Sequence, residues 1–214
     1  FSISPTTIPC FPNSSNPPAI NEPGYIILLL HAESVVILKS FFNLKDDQYE
    51  NKGHTHTRDV VRALVFNNEN KFVLININRN DIFGPANYNE TPGGGVKQNE
   101  EKIDAIKREI MEELGYEITD IFPILRVVDE YNLINRINDQ IYYYAKIKSI
   151  GQTHREAYEE EWFKNIEFFT IEESIEIYQN MQKQTGVARL VANRELPVVL
   201  ELQRILKEKN YGKN

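Results

Sequence analysis

The chain has 214 residues, a formal net charge of −7 and a single cysteine. This length fits one globular domain that can bury a sizeable core. The acidic balance disfavours a nucleic-acid backbone or an anionic membrane as the main partner, although a bound divalent cation can invert the local field and admit a phosphate ligand. A lone cysteine excludes an intrachain disulfide and a cysteine-based zinc site. It also suits a reducing compartment, so we expect a cytoplasmic protein.

The N-terminal part of the chain is rich in proline. Six of the ten prolines lie within residues 5–23, and proline disrupts helices and central strands, so residues 1–24 are predicted to form an extended or disordered arm. Residues 25–38 are apolar but are interrupted at positions 31–34, which predicts two short strands or one strand with a break there. The run falls short of the ~18 apolar residues of a membrane span. His54 and His56 have no cysteine or carboxylate beside them, so we interpret them as part of a polar linker. We assign residues 25–57 to N-terminal strands and this linker.

The next part of the chain carries the clearest local signals. Residues 60–66 and 72–77 are β-rich runs separated by a short polar segment, and they predict a hairpin. Residues 79–95 are polar, contain glycine and proline, and predict a loop. Residues 99–114 predict a helix, because isoleucine and leucine recur at three- and four-residue steps and Gly115 ends the run.

Three further strands are predicted after this helix. Residues 121–130 and 140–147 predict a second strand pair, and the tyrosine run 142–144 is predicted to pack on both faces of its strand. Residues 162–169 predict a last strand.

Two helices are predicted to follow that strand. Thr170 and Glu173 form a capping-box signature for a helix that ends near Met181, and a final helix is predicted after Pro197. The order of elements is typical of an α+β fold with a mixed sheet.

Three glutamates on the predicted 99–114 helix are the strongest chemical feature. Glu109, Glu112 and Glu113 are spaced i, i+3 and i+4, so they project from one helix face. Such a face can be a solvated acidic surface or a metal site. The glycine run 93–95 ahead of the helix favours the metal site, because glycine lets the backbone approach a ligand closely. Clustered hard oxygen ligands suit Mg²⁺ or Mn²⁺, and carboxylate-bound Mg²⁺ serves the hydrolysis of a pyrophosphate.

These residues also form a longer motif. Gly94, Glu100 and the segment from Arg108 to Tyr116, with sequence REIMEELGY, resemble the Nudix box at its fixed positions. Tyr116 is an unusual choice for the closing bulky residue, and Lys97 stands where many members have another acid. The resemblance implies an α/β/α sandwich with a mixed sheet, in which the box forms a loop, a helix and a loop. We assign this domain to residues 58–214.

The resemblance also implies roles for individual residues. Glu109, Glu112 and Glu113 would bind the metal together with the Gly93 carbonyl, and Gly94 and Gly95 would contact substrate. Arg108 would pair with acids of the motif, including Glu100, and hold them in place. Members often place one more acid in a later loop, and here the candidates are Glu156, Glu159, Glu160 and Glu161. We favour Glu156 as general base, with Glu109 as the alternative.

Outside the motif, four further residues are candidates for contacting substrate. Arg79 follows a predicted strand and is placed to meet a phosphate, and Tyr88 or Phe83 could stack on a base. Arg62 alternates with apolar neighbours on a strand, and we expect it to be exposed to solvent.

The implied activity is hydrolysis of a nucleoside diphosphate linked to another group, by attack of water at phosphorus. Nucleoside triphosphates are the favoured substrates, followed by nucleotide sugars and ADP-ribose. The residues that distinguish substrate subclasses in this family give no decision, since Asn132 and Tyr131 lie near that position and Pro123 comes too early.

Two other functions occur on the same fold. A non-catalytic nucleotide-binding module usually lacks some acids of the motif, and none is lost here. Isomerase chemistry needs a cysteine in the site, and Cys10 lies in the proline-rich arm. The expected partner is a small nucleotide, without nucleic acid or membrane, and a homodimer is compatible with the sequence.

Overall fold

The computed structural model describes residues 26–30, 34–38, 41–153 and 162–211. The arm predicted for residues 1–24 lies outside these ranges. β1 (Ile26–Leu30) and β2 (Ser34–Leu38) are two short strands within the region predicted to be extended, and they pair antiparallel.

A mixed eight-stranded sheet forms the centre of the structure. Its strands are β3 (Phe41–Leu44), β4 (His56–Phe66), β5 (Phe72–Asp81), β6 (Gly84–Glu90), β7 (Gly93–Gly95), β8 (Tyr116–Tyr131), β9 (Arg136–Ile150) and β10 (Phe163–Phe169). The order is β10-β5-β4-β9-β8-β3, with β6 on β5 and β7 on β4. The β4–β9 and β3–β8 pairs are parallel.

In the part of the chain that the structure describes, three α-helices complete the predicted α/β/α sandwich. They are α1 (Lys102–Leu114), α2 (Ile171–Met181) and α3 (Val187–Tyr211). Within the described part of the chain, no helix is long and apolar enough to cross a membrane.

Helix α1 forms for the reasons seen in its sequence. Ile106, Ile110 and Leu114 are buried in the core, so the periodic apolar residues face inward as predicted. Gly115 ends the helix in the left-handed conformation, with φ 69°, and its N–H donates to the Met111 carbonyl at 3.0 Å. The helix begins at Lys102, three residues later than predicted.

The structure corrects two predictions in the strand-rich region. Residues 79–95 are not a loop, since β5 continues to Asp81 and β6 and β7 follow. The asparagine, glycine and proline in β6 are poor strand formers, and backbone pairing with β5 holds them extended. The predicted hairpin is also incomplete. β4 pairs with β5 only at Phe66 and Phe72, and along its whole length it pairs with β9.

The C-terminal helices combine one confirmed and one wrong prediction. The capping box of Thr170 and Glu173 is present with both of its hydrogen bonds. The final helix, however, begins at Val187 rather than after Pro197, which lies in its interior. Val191 and Leu202 on this helix are buried in the core. Burial of this apolar side compensates for the hydrogen bond that proline cannot donate.

The tyrosine run in β9 packs as predicted. Tyr142 and Tyr143 are buried, and the Tyr144 ring stacks on Phe66 and Phe122, with ring centroids 5.0 and 4.6 Å away. His54 contacts the Asn132 side chain at 3.0 Å.

Candidate active site

One face of the sheet opens into a cavity of about 560 Å³ that α1, β7 and α3 border. Glu109, Glu112, Glu113 and Gly93–Gly95 all line it. The three glutamates therefore share one cavity, as their spacing predicted, and the glycines lie beside them.

The glycine strand β7 approaches the glutamates so closely that side chains would collide with them. At Gly94, an added Cβ would lie 2.5 Å from Oε2 of Glu109. At Gly93, φ is 141° and an added Cβ would lie 2.1 Å from the Val61 carbonyl oxygen. The Gly93 N–H donates a 2.8 Å hydrogen bond to Glu113 Oε2. The backbone therefore requires glycine at position 93, whereas a side chain at position 94 would displace the Glu109 carboxylate.

Glu109 and Glu113 are buried at the cavity wall, and Glu112 is half-buried. Burial raises the pKa of Glu113 well above its ordinary value, while the Gly93 N–H and the charge of Arg62 oppose that rise. A cation bound in the cavity would therefore stabilise the ionised form of Glu113.

Arg108 holds the acids of α1 together. Its Nη1 donates to Glu109 Oε1 at 2.7 Å and to Glu112 Oε2 at 2.9 Å, and its Nε donates to Glu100 Oε1 at 2.7 Å. Its Nη2 also donates to the Gly95 carbonyl at 3.1 Å. The hydrogen bonds from Arg108 lower the pKa of Glu100 to about 2. The expected pairing of Arg108 with these acids is therefore present.

The donor set of this wall fits a hard divalent cation. It offers carboxylates from one helix face and a glycine backbone at close range, which are oxygen ligands of the kind that Mg²⁺ and Mn²⁺ prefer. Among the described residues, no three His, Cys, Asp or Glu side chains converge closely enough to hold a metal as they stand. The Arg108 guanidinium lies between Glu109 and Glu112, so binding a cation there requires these carboxylates to turn away from it.

Arg62 was expected to be exposed, and this prediction is wrong. Its side chain is 12 % exposed and forms an ion pair with Glu90 at 3.2 Å. It also donates to the Thr91 carbonyl at 2.5 Å and to Gln140 Oε1 at 3.0 Å. The parallel pairing of β4 with β9, which the sequence did not predict, brings Gln140 beside it.

Arg79 lies in the cavity wall, but neighbouring side chains already engage it. It forms an ion pair with Asp81, its Nη1 donates to the Tyr88 hydroxyl at 3.2 Å, and its guanidinium lies 4.4 Å from the centre of the Trp162 ring. Tyr88 also lines the cavity, with its side chain buried. Phe83 packs edge-on against Tyr131, with centroids 5.9 Å apart.

Sequence reasoning missed three polar residues of the cavity. Arg58, Arg136 and Asn138 line it from the adjacent strands β4 and β9. Within the described residues, neither arginine side chain forms a hydrogen bond or an ion pair, although the Arg136 guanidinium lies 5.7 Å from the centre of the Tyr131 ring. The buried Nε of Arg136 and Oδ1 of Asn138 have no hydrogen-bond partner. Burial and the charge of Arg58 lower the pKa of Arg136. The signal for Arg136 and Asn138 was the recurrence of polar residues at positions 136, 138 and 140 of β9.

Another missed pair lies on α3. Arg194 and Glu195 are buried despite their charges, within a mostly apolar part of the helix. Arg194 Nη2 contacts Glu90 at 3.0 Å and Glu195 at 2.8 Å. A charged pair inside an apolar helical run was the signal that could have found them.

A model of the NUDIX domain family matches residues 56–190. The chain belongs to the NUDIX family. Its motif helix is α1, preceded by β7. NUDIX proteins are generally pyrophosphohydrolases. Glu156, Glu159, Glu160 and Glu161, the proposed sources of a loop acid, lie outside the described residues.

Solved structures of other NUDIX proteins resemble this fold. A MutT NUDIX hydrolase from Burkholderia pseudomallei is 20 % identical over 54 % of this chain and 84 % of its own, with a TM-score of 0.46. A NUDIX hydrolase from Nitrosomonas europaea is 16 % identical over 65 % and 88 %, with a TM-score of 0.49. A MutT protein from Methanosarcina mazei is 15 % identical over 69 % and 96 %, with a TM-score of 0.44. No curated protein matches the chain in sequence.

Proposed function

We propose that this NUDIX protein is a Mg²⁺-dependent hydrolase of a nucleoside diphosphate linked to another group, releasing a nucleoside monophosphate. The observation that carries the proposal is the meeting of Glu109, Glu112 and Glu113 with the glycine strand in one cavity. Mn²⁺ should substitute, because it takes the same oxygen ligands.

The charge of the cavity supports a polyanionic substrate. Seven cationic residues line it, against the four carboxylates Glu90, Glu109, Glu112 and Glu113, although the whole chain carries a net charge of −7. The cationic residues are Arg58, Arg62, Arg79, Lys97, Arg108, Arg136 and Arg194. Since Arg58 and Arg136 have no ion-pair partner among the described residues, they are the cations best able to bind phosphate oxygens.

In this proposal, the three glutamates and the Gly93 carbonyl hold the metal, which neutralises phosphate charge and lowers the pKa of a bound water. Arg108 bridges Glu109 and Glu112 and neutralises part of their charge before the metal binds. Gly94 and Gly95 leave room for the diphosphate. Glu156 is our choice of general base, since a metal-bound Glu109 is a weaker proton acceptor.

A turnover screen tests this function. Nucleoside triphosphates, nucleotide sugars and ADP-ribose are incubated with the protein and Mg²⁺, and the products are resolved as nucleoside monophosphate, phosphate and pyrophosphate. We expect nucleoside monophosphate to form. Glu112→Gln should abolish turnover, and added Mg²⁺ should not restore it. Binding of nucleotides without turnover across the panel would instead favour a regulatory module.

The choice of base is tested separately. Glu156→Gln should lower kcat by roughly 10²–10⁴-fold while the Mg²⁺ concentration for half-maximal activity stays nearly unchanged. Glu109→Gln should change both quantities. Full kcat in Glu156→Gln would pass the role to Glu109 or to a glutamate at 159–161.

A further inference from the structure

The connection between β6 and β7 is tied to the C-terminal helix. This connection is Thr91 and Pro92, and it leads directly into the glycines of the motif. Thr91 is completely buried, and its hydroxyl donates to the Glu195 carboxylate, at 3.0 Å from Oε2 and 3.2 Å from Oε1. Glu195, on α3, is more than one hundred residues later in the chain.

The backbone carbonyl of Thr91 is held as well. Its carbonyl accepts a 2.5 Å hydrogen bond from Arg62 Nη1. Arg62 is itself held by Glu90 Oε2 at 3.2 Å, and Arg194 of α3 contacts the same oxygen at 3.0 Å. The hydroxyl and the carbonyl of Thr91 are therefore both fixed by side chains that α3 supplies or orients.

The glycines two and three residues later have little freedom. Gly93 donates to Glu113, and Gly94 approaches the Glu109 carboxylate within a distance that admits no side chain. A small shift of Thr91 along the chain direction therefore changes the distance between β7 and the glutamates of α1.

We propose that Glu195 is a positioning residue, which acts through the Thr91 hydroxyl to hold Gly93–Gly95 at the distance that the glutamates of α1 require. This inference rests on the proposed hydrolase function. Arg194 has a supporting part, because it neutralises Glu195 and orients Arg62 through Glu90.

The chain offers a matched control for this test. Tyr142 is as buried as Thr91, and its hydroxyl donates to the same carboxylate, at 3.0 Å from Glu195 Oε1. It lies in β9, however, and is linked to the glycines only through the pairing of β9 with β4 and of β4 with β7. Thr91→Val and Tyr142→Phe each remove one hydroxyl from Glu195. Only Thr91→Val removes a contact of the segment that leads into the glycine strand, so only this variant should allow that strand to shift along β4. Thr91→Ser keeps the hydroxyl and serves as the rescue variant.

The experiment measures kcat and KM for the substrate found in the screen, with melting temperature as the check on folding. We expect Thr91→Val to lower kcat by about tenfold or more with KM changed less than about twofold, since sub-ångström to 1 Å errors in catalytic geometry cost up to roughly 10²-fold. Thr91→Ser and Tyr142→Phe should stay within about threefold of the parent protein. If Thr91→Val does not fold, Thr91→Ala removes the same hydroxyl without placing a methyl group against the carboxylate.

Amide hydrogen exchange at residues 93–95 separates this inference from the proposed function. Exchange should accelerate in Thr91→Val and not in Tyr142→Phe, even if the parent protein proves inactive on every nucleotide. Equal effects of Thr91→Val and Tyr142→Phe on kcat and on exchange, or a Thr91→Ser variant as impaired as Thr91→Val, would overturn the positioning role.

Discussion

Gly94→Ala should separate activity from stability. An alanine Cβ at this position would lie 2.5 Å from Glu109 Oε2, 2.6 Å from its Cδ and 2.7 Å from Oε1. Because ordinary contacts begin at 3.4 Å, the carboxylate must move by about 1 Å. The atoms in the way are the end of a flexible side chain, so the backbone can remain in place.

A 1 Å displacement of a catalytic group costs roughly 10²-fold in rate, which is about 2.7 kcal/mol of activation free energy. We therefore expect kcat of Gly94→Ala to fall by about 100-fold, while the melting temperature changes by no more than about 2 °C. The assay compares initial rates at saturating Mg²⁺ with thermal unfolding of the same sample.

Two further glycine variants serve as comparisons for Gly94→Ala. Gly151→Ala places a Cβ 3.2 Å from the flexible Met111 Sδ, away from the cavity, and should leave kcat unchanged. Gly93→Ala meets backbone atoms at 2.1 Å and should destabilise the fold itself. A Gly94→Ala enzyme with full kcat would refute the claim that the Glu109 carboxylate must occupy the space beside Gly94.

Three other perturbations have expected outcomes. Glu100→Gln should flatten the acid dependence of stability: the pKa of Glu100 is about 2 in the folded protein against 4.5 ordinarily, so its charged pair stabilises above pH 4.5 and is lost as pH falls towards 2. Thermal unfolding between pH 6 and 2 measures this, and parallel curves for both proteins would contradict it. Arg136→Met should raise KM by roughly 10- to 100-fold, since a charge-assisted hydrogen bond contributes about 1.5–3 kcal/mol. Steady-state kinetics at fixed Mg²⁺ would show an unchanged KM if the residue does not contact substrate. Pro197→Ala should raise the melting temperature by a few degrees, because it restores a hydrogen bond inside α3, and a lower value would mean that the proline is needed for packing.

The parts of the site that the sequence predicted are those with local determinants. Helix α1, its end at Gly115 and the common face of its glutamates depend on residues within one or two turns of each other. The capping box of α2 is local in the same way. Short-range periodicity and side-chain chemistry are sufficient for such features.

The missed parts depend on contacts between distant segments. Arg62 is buried because β9 lies beside β4, and Arg194 reaches the cavity because α3 starts ten residues before Pro197. Neither the β4–β9 pairing nor the early start of α3 produces a periodic pattern in the sequence. β6 was missed for a different reason, since its residues are poor strand formers that the pairing with β5 overrides.

The short strand β3 shows that the cooperative folding unit is larger than the matched family region. β3 lies before residue 56, where the family match begins, yet it pairs with Arg126–Asp129 of β8 and covers that edge of the sheet. The segment after it is also anchored, because Asp46 accepts from the Asn132 backbone and Asp47 pairs with Arg189 of α3. A protein shortened to residue 56 would expose the edge of β8, and an unprotected edge strand recruits other chains. Self-association, rather than loss of the catalytic motif, is then the expected fate of such a truncated protein.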